Sequence, residues 1–189
     1  MNLNNDSILI PCSGKKINQS GLIDKVFNFE NLTFNDEIGE ERKIIFEKLS
    51  EVQQINLNKS NKAYIVYSAG KILSSANINQ WNEDCIDRVY ILSALFGLIK
   101  ATDYIPLYDL AMNDKIENES VLKFWKRSGE LDKLIDSLNK NDVMIINLLS
   151  KNYNNVFNYD HKNLITLSIQ WNDKYGVHKG KWLSEYFCK

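Results

Sequence analysis

The stretch Pro11-Cys12-Ser13-Gly14-Lys15-Lys16 sets a thiol, a hydroxyl and two amines around one glycine. Gly14 allows the backbone to bend so that successive N–H groups converge on an anion. Lys15 and Lys16 would add positive charge and favour the thiolate form of Cys12. Two chemistries fit these six residues: a phosphate cradle, or a nucleophilic Cys12 or Ser13. A tight turn with solvated lysines and an inert cysteine is the plainer alternative. The Walker A spacing is absent, which excludes a P-loop nucleotide triphosphatase.

A second candidate runs from Ser93 through Gly97 and Lys100 to Asp103. An apolar element, a glycine turn and a basic residue can form a hairpin whose amides meet a DNA phosphate; the same pattern also describes an ordinary helix-to-loop connection. Asp103 and Asp109 flank Pro106 and could meet as an acid/base pair, with solvated loop charges as the default. Asn147 interrupts an apolar run and needs hydrogen bonds if buried. It could orient a ligand together with Ser150 and Asn152, or belong to a structural network. His161 and His178 lack metal-ligand spacing with Cys, Asp or Glu, so neither a bound metal nor a Ser-His-Asp set is expected. No other cofactor is indicated.

These residues need elements to position them. Ser7-Ile8-Leu9-Ile10, stopped by Pro11, reads as a buried strand. Residues 12–37 read as an irregular segment whose aromatics pack on the core. Ile45, Leu49 and Val52, with Phe46, give a surface helix over 39–52. Ala63 to Tyr67 is β-branched and aromatic and reads as a strand ending at Ser68-Ala69-Gly70. Asn82 caps a predicted helix whose stripe is Ile86, Val89, Tyr90 and Leu92 and whose stop is Gly97. A helical stretch from Ser120 is interrupted at Gly129 and resumes with Leu131, Leu134, Ile135 and Leu138. Val143 to Leu149 is expected to be a central strand, Leu164 to Ser168 another, and Val177 to Phe187 a closing helix. Trp125, Trp171 and Trp182 lie among apolar neighbours and are expected to fill the core. Alternating strands and helices point to an α/β fold, a small mixed sheet flanked by helices.

The chain has 189 residues, 44% of them hydrophobic, which suits one domain over residues 1–189. Its 23 basic and 24 acidic residues leave a net charge of −1, so strong nonspecific binding to nucleic acid is not expected. Cys12, Cys85 and Cys188 show no paired spacing, which fits thiols in a reducing cytoplasm rather than a disulfide scaffold. No signal peptide or stretch able to span a bilayer is read, so no membrane partner is expected.

Taken in order, several segments resemble the YaaA peroxide-stress family. Ile91 to Asp103, continuing through Ile105-Pro106-Leu107-Tyr108-Asp109-Leu110-Ala111-Met112, is similar to that family's Leu-Ser-(small)-Leu-Tyr-Gly-Val-Leu-Arg-Pro-Leu-Asp stretch and its Pro-Tyr-Arg-Leu-Glu-Met. Ile8-Leu9-Ile10-Pro11 resembles the opening Ile-Leu-Ile-Ser-Pro strand. Ser68-Ala69-Gly70 falls at a Phe-Lys-Gly turn, Phe124-Trp125 at a Phe-Trp pair, and Val143 to Ser150 with Tyr153 at a Val-Ile-Asn-Leu-Ala-Ser…Tyr stretch. Phe96 stands for a tyrosine, Lys100 for an arginine, Ala101 for a proline and Asp109 for an arginine. The Cys12-Ser13-Gly14-Lys15-Lys16 start resembles the Cys-Ser-x-x-Lys start of shorter relatives. The resemblance implies a YaaA-like fold with a helix-hairpin-helix-like element around 86–103. It also implies a part in limiting oxidative damage, with double-stranded DNA as partner.

Two functions fit these residues best, and a net charge near zero also leaves open a non-catalytic interaction module. In the first, Gly97 and Lys100 hold DNA phosphates, with Lys15 and Lys16 adding charge. In the second, an enzyme acts on a nucleotide, nucleoside or modified base in a cleft between residues 11–16, 68–70, 93–109 and 147–150. There Lys15 or Lys16 would take phosphate, Cys12 or Ser13 would be nucleophile, and Asp103 would serve as acid or base. Gly70, Ser93, Tyr108, Asn147 and Ser150 would contact the ligand.

Overall fold

The computed structural model describes residues 6–140, 144–167 and 176–187. Five strands form the main sheet: β1 (Ser7–Pro11), β2 (Val89–Ser93), β3 (Gly97–Lys100), β4 (Ile145–Asn147) and β5 (Leu164–Thr166), in the spatial order β3-β2-β1-β4-β5. β1 lies parallel to β2 and to β4, β4 lies parallel to β5, and only β3 runs antiparallel, as the return limb of a hairpin from β2. Ile8, Leu9 and Ile10 are fully buried, as a strand covered on both faces requires.

Eight α-helices accompany the sheet among the described residues: α1 (Asn35–Ser50), α2 (Ala63–Val66), α3 (Lys71–Ala76), α4 (Glu83–Asp87), α5 (Val121–Ser128), α6 (Glu130–Lys140), α7 (Lys151–Asn154) and α8 (Val177–Tyr186). The mixed α/β architecture expected from the sequence is the one observed. The capped starts are visible: Asn82 accepts from the Cys85 N–H, and Ser120 accepts from the Lys123 N–H. Gly129, left-handed at φ +71°, separates α5 from α6. Phe27 and Leu32 of the irregular segment are buried, and Trp125 is the largest fully buried side chain. Trp182 packs partly buried against the same core. Val143, Ser168, Trp171 and Cys188 fall outside the described residues.

Four expectations are corrected. The helix predicted from Asn82 to Gly97 ends at Asp87, and Val89–Ser93 is a strand. Every residue of Val89–Ser93 is buried, and a short, continuously apolar run carries no periodicity that separates a strand from a buried helix. The helix-hairpin-helix-like element around 86–103 is thus not observed; those residues form the end of α4 and the β2–β3 hairpin. The same ambiguity reversed the sign at 63–67, where Ala63–Val66 is one helical turn instead of a strand. Cys85 is disulfide-bonded whereas Cys12 is free, so thiols throughout is not the observed state.

One buried charge locks the hairpin. Arg42 of α1 is fully buried, donating through Nε to the Phe96 carbonyl and through Nη2 to the carbonyls of Thr33 and Leu98, each at 2.8 Å. Burial draws its guanidinium down to about 10, opposed by Asp103 and Glu37.

Candidate ligand-binding site

In an open parallel sheet, ligands gather outside the carboxyl ends of the strands where the strand order reverses. Here the chain moves from β1 to β2 on one side and later returns to β4 on the other. The loops leaving β1 and β4 therefore diverge and leave a crevice. A cleft of about 460 Å³ opens at that point, lined among others by Cys12, Ser13, Tyr67, Gly70, Ile72 and Tyr153. Larger crevices lie elsewhere, one of about 720 Å³ beside Gln54 to Asn58 and one of about 520 Å³ beside Asn154 to His161. Neither carries a thiol, and neither lies at the strand reversal.

Cys12 follows β1 directly, its N–H held by the Leu92 carbonyl of the neighbouring strand at 2.9 Å. Its Sγ lies 3.6 Å from the Tyr153 hydroxyl. Burial pushes the thiol up from its ordinary value, and Tyr153, the Ala94 N–H and Lys16 only partly offset this. The resting thiol is accordingly protonated at neutral pH, and any nucleophilic role needs activation by a ligand. Ser13 accepts the Lys15 N–H at 3.1 Å and presses against Gly70, where an added Cβ would stand 2.5 Å from the Ser13 Cβ. Glycine at 70 is what lets the two loops touch.

Behind this floor lies a ring of three hydroxyls. Tyr67 and Tyr108 oxygens are 2.5 Å apart, Tyr67 donates to Ser93 Oγ at 3.2 Å, and Ser93 and Tyr108 are 2.9 Å apart. Ser93 Oγ also accepts the Phe96 N–H at 3.1 Å. Three hydroxyl protons serve three contacts, so the ring is self-satisfied and ties residues 67, 93 and 108 together. Lys16 rests on the ring faces, its Nζ 4.3 Å from the Tyr108 centroid and 5.8 Å from that of Tyr67. Burial lowers the Lys16 ammonium, partly countered by Cys12, Asp109 and Asp114. Burial also raises both buried tyrosines well above their ordinary value.

The sequence-derived candidates thus divide. Cys12, Ser13 and Gly70 line the cleft, and Lys16, Ser93 and Tyr108 support it from behind. Lys15 is exposed at its rim. Asn147 donates from its amide to Asn154 Oδ1 at 2.8 Å and accepts the Leu149 N–H, while Ser150 caps α7. Both shape the loop that carries Tyr153. Gly97, Lys100 and Asp103 are not brought to the cleft. Gly97, at φ +63°, lies under Trp125, and a Cβ there would stand 2.8 Å from the indole. Lys100 pairs with Asp87 at 2.5 Å, opposite Tyr90 in the hairpin register and so away from Ser93 at the cleft end of β2. Asp103 accepts the Thr33 N–H and hydroxyl and the Lys100 N–H; burial raises its carboxyl, with these donors and Arg42 opposing. Asp109 instead gives its N–H to Gln53, so the two acids form no pair. Tyr67 and Tyr153 were missed as cleft residues. By sequence Tyr67 reads as part of a strand, and Tyr153 enters only through the family likeness.

Among the described residues no group of three or more His, Cys, Asp or Glu side chains is arranged to hold a metal ion. His161 engages Asp132 and Asp136 through its two ring nitrogens, each at 2.9 Å. No helix among the described residues is long and apolar enough to cross a membrane.

Comparison with known proteins adds a family. A family model described as peroxide stress protein YaaA matches residues 16–182, starting just past the Cys12–Lys15 turn. A UPF0246 protein of Lactobacillus helveticus (strain DPC 4571) is 25% identical over 152 residues, 72% of this chain and 58% of that protein. UPF0246 proteins of Rickettsia rickettsii (strain Iowa) and Crocosphaera subtropica (strain ATCC 51142 / BH68) are 26% and 27% identical over 110 and 120 residues. These cover 53% and 57% of this chain, and 42% and 47% of the relatives. The chain spans about half the length of the curated relatives it matches.

Proposed function

Because the chain belongs to the peroxide stress protein YaaA family, we propose that it serves the response to peroxide through a small-molecule site. The proposed ligand is a nucleotide, nucleoside or modified base held in the cleft between Cys12 and Tyr153. The observation that carries this reading is the convergence of Cys12, Ser13, Tyr67, Gly70 and Tyr153 on one cavity at the strand reversal. Its walls offer Tyr67 and Tyr153 rings and the Ile72 and Leu73 side chains to a planar ring. Its floor offers a thiol, a hydroxyl and the nearby Lys16 charge to polar or anionic substituents. If the site is catalytic, Cys12 or Ser13 is the group placed to meet the ligand. The chain acts in this role as one domain, in the cytoplasm.

Binding to double-stranded DNA has less to support it. Gly97 is buried, Lys100 is already paired, and the net charge is −1. Titration calorimetry with adenine, adenosine and adenosine monophosphate, alongside a short duplex, tests both. Binding of a small ligand that is lost in Tyr153→Ala supports the cleft. Duplex binding that weakens steeply with salt and is lost in Lys100→Glu, with no small-ligand binding, would replace it.

A further inference from the structure

The C-terminal helix reaches the cleft from behind at two points. Lys179 Nζ donates to the Leu148 carbonyl at 2.7 Å and to the Leu149 carbonyl at 3.3 Å. These two residues follow the end of β4 and lead into the α7 loop that carries Tyr153. The opposite wall is braced by the same helix. A Cβ at Gly176 would stand 2.5 Å from Ile72 Cγ1, and one at Gly180 would stand 2.3 Å from the Ile72 carbonyl oxygen. Ile72 lines the cleft. One helix therefore touches both walls, the α3 wall through its glycines and the Tyr153 wall through one ammonium.

We propose that Lys179 is a positioning residue of the cleft, holding the Leu148–Leu149 turn so that Tyr153 meets Cys12. The proposal deepens the small-molecule reading and rests on it for its functional meaning. In a regular strand, successive carbonyls point to opposite sides. Here two consecutive carbonyls converge on one point, which places their negative ends together. A compact cation with several donors offsets that repulsion. The N–H side of the turn is already fixed, Leu148 to the Leu9 carbonyl and Leu149 to Asn147 Oδ1. Lys179 supplies the carbonyl side. Ser150 then caps the short helix and Asn154 bonds back to the Ser150 carbonyl, so the orientation of this turn is passed on to Tyr153.

The test uses the full chain and follows alkylation of Cys12 by iodoacetamide across pH, read at the Cys12 peptide by mass spectrometry. In Lys179→Met, with circular dichroism unchanged, Cys12 is expected to react about tenfold more slowly as the Tyr153 hydroxyl that favours its thiolate leaves the sulfur, while Lys179→Arg keeps the wild-type profile. A wild-type rate in Lys179→Met overturns the proposal. If that variant does not fold, Lys179→Gln, which retains an uncharged amide donor group, decides instead: an intermediate rate supports the assignment and a wild-type rate overturns it. Adenosine monophosphate binding is measured on the same samples. Slower alkylation in Lys179→Met without nucleotide binding in the wild type upholds the positioning role and sinks the ligand reading. Nucleotide binding with unchanged alkylation in Lys179→Met does the reverse.

Discussion

The phenol oxygens of Tyr67 and Tyr108 stand 2.5 Å apart, both within hydrogen-bond reach of Ser93 Oγ, although the three residues come from separate segments of the chain. This ring turns three loops into one floor for the cleft. Ser93 is its hinge, because the same oxygen also takes the buried Phe96 N–H.

Ser93→Ala opens the ring and leaves that N–H without an acceptor. The expected loss of stability is about 1–3 kcal/mol. Urea unfolding measures it, and a loss below a few tenths would show that the hydroxyl ring carries no structural load.

Two glycines in the cleft loops make a controlled pair. Alanine at Gly70 drives a Cβ into the Ser13 side chain, whereas a Cβ at Gly14 meets nothing within 4 Å. Gly70→Ala is expected to weaken ligand binding by about tenfold or more through a displaced Ser13 loop, with Gly14→Ala near wild type. Thermal shift with and without ligand reads both variants. Equal behaviour of the two would contradict the close approach seen here.

The thiol of Cys12 gives a pH signature. Burial raises it above the ordinary value of 9.0, so the folded protein holds this proton more tightly than the unfolded chain does. Its contribution to stability is therefore constant below the unfolded value and lost as pH rises through the folded one. Alkylation at Cys12 is expected to be slow at neutral pH and to climb only in the alkaline range. Rapid modification near pH 7 would show a thiolate that this environment does not support.

Asp103 was a candidate acid or base by sequence, and its contacts give it a different task. It gathers the Thr33 N–H and hydroxyl and the Lys100 N–H at the far end of the hairpin from Cys12. Asp103→Asn is expected to cost about 1–3 kcal/mol in denaturant unfolding and to leave ligand affinity within about twofold. A large loss of affinity with stability intact would return Asp103 to the functional site.

The legible parts of the chain were those with a distinctive local signal. Ile8-Leu9-Ile10 before Pro11 marked the central strand, and Gly129 between two apolar stripes marked the break between α5 and α6. The Cys12–Lys16 turn was recognisable because it combined a strand end with a glycine. What failed were two short apolar runs: Val89–Leu92, where burial of every residue removes the periodicity that would tell strand from helix, and Ala63–Val66, a single turn too short to show one. The site was half visible for a related reason. Cys12, Ser13, Gly70, Ser93 and Tyr108 were named, but only tertiary packing decides that Tyr67 and Tyr153 face the cleft and that Asp103 does not. Arg42 could not have been foreseen, since its charge is answered by main-chain carbonyls brought together by the fold.

The most direct measurement is a crystal structure of the full chain soaked with adenine, adenosine and adenosine monophosphate in turn. Ligand density is expected between Cys12 and Tyr153, its ring against Tyr67 or Ile72 and any phosphate toward the Ser13–Lys16 turn. Density confined to another crevice or to the Gly97–Lys100 hairpin, with the Cys12 cleft empty, would contradict it.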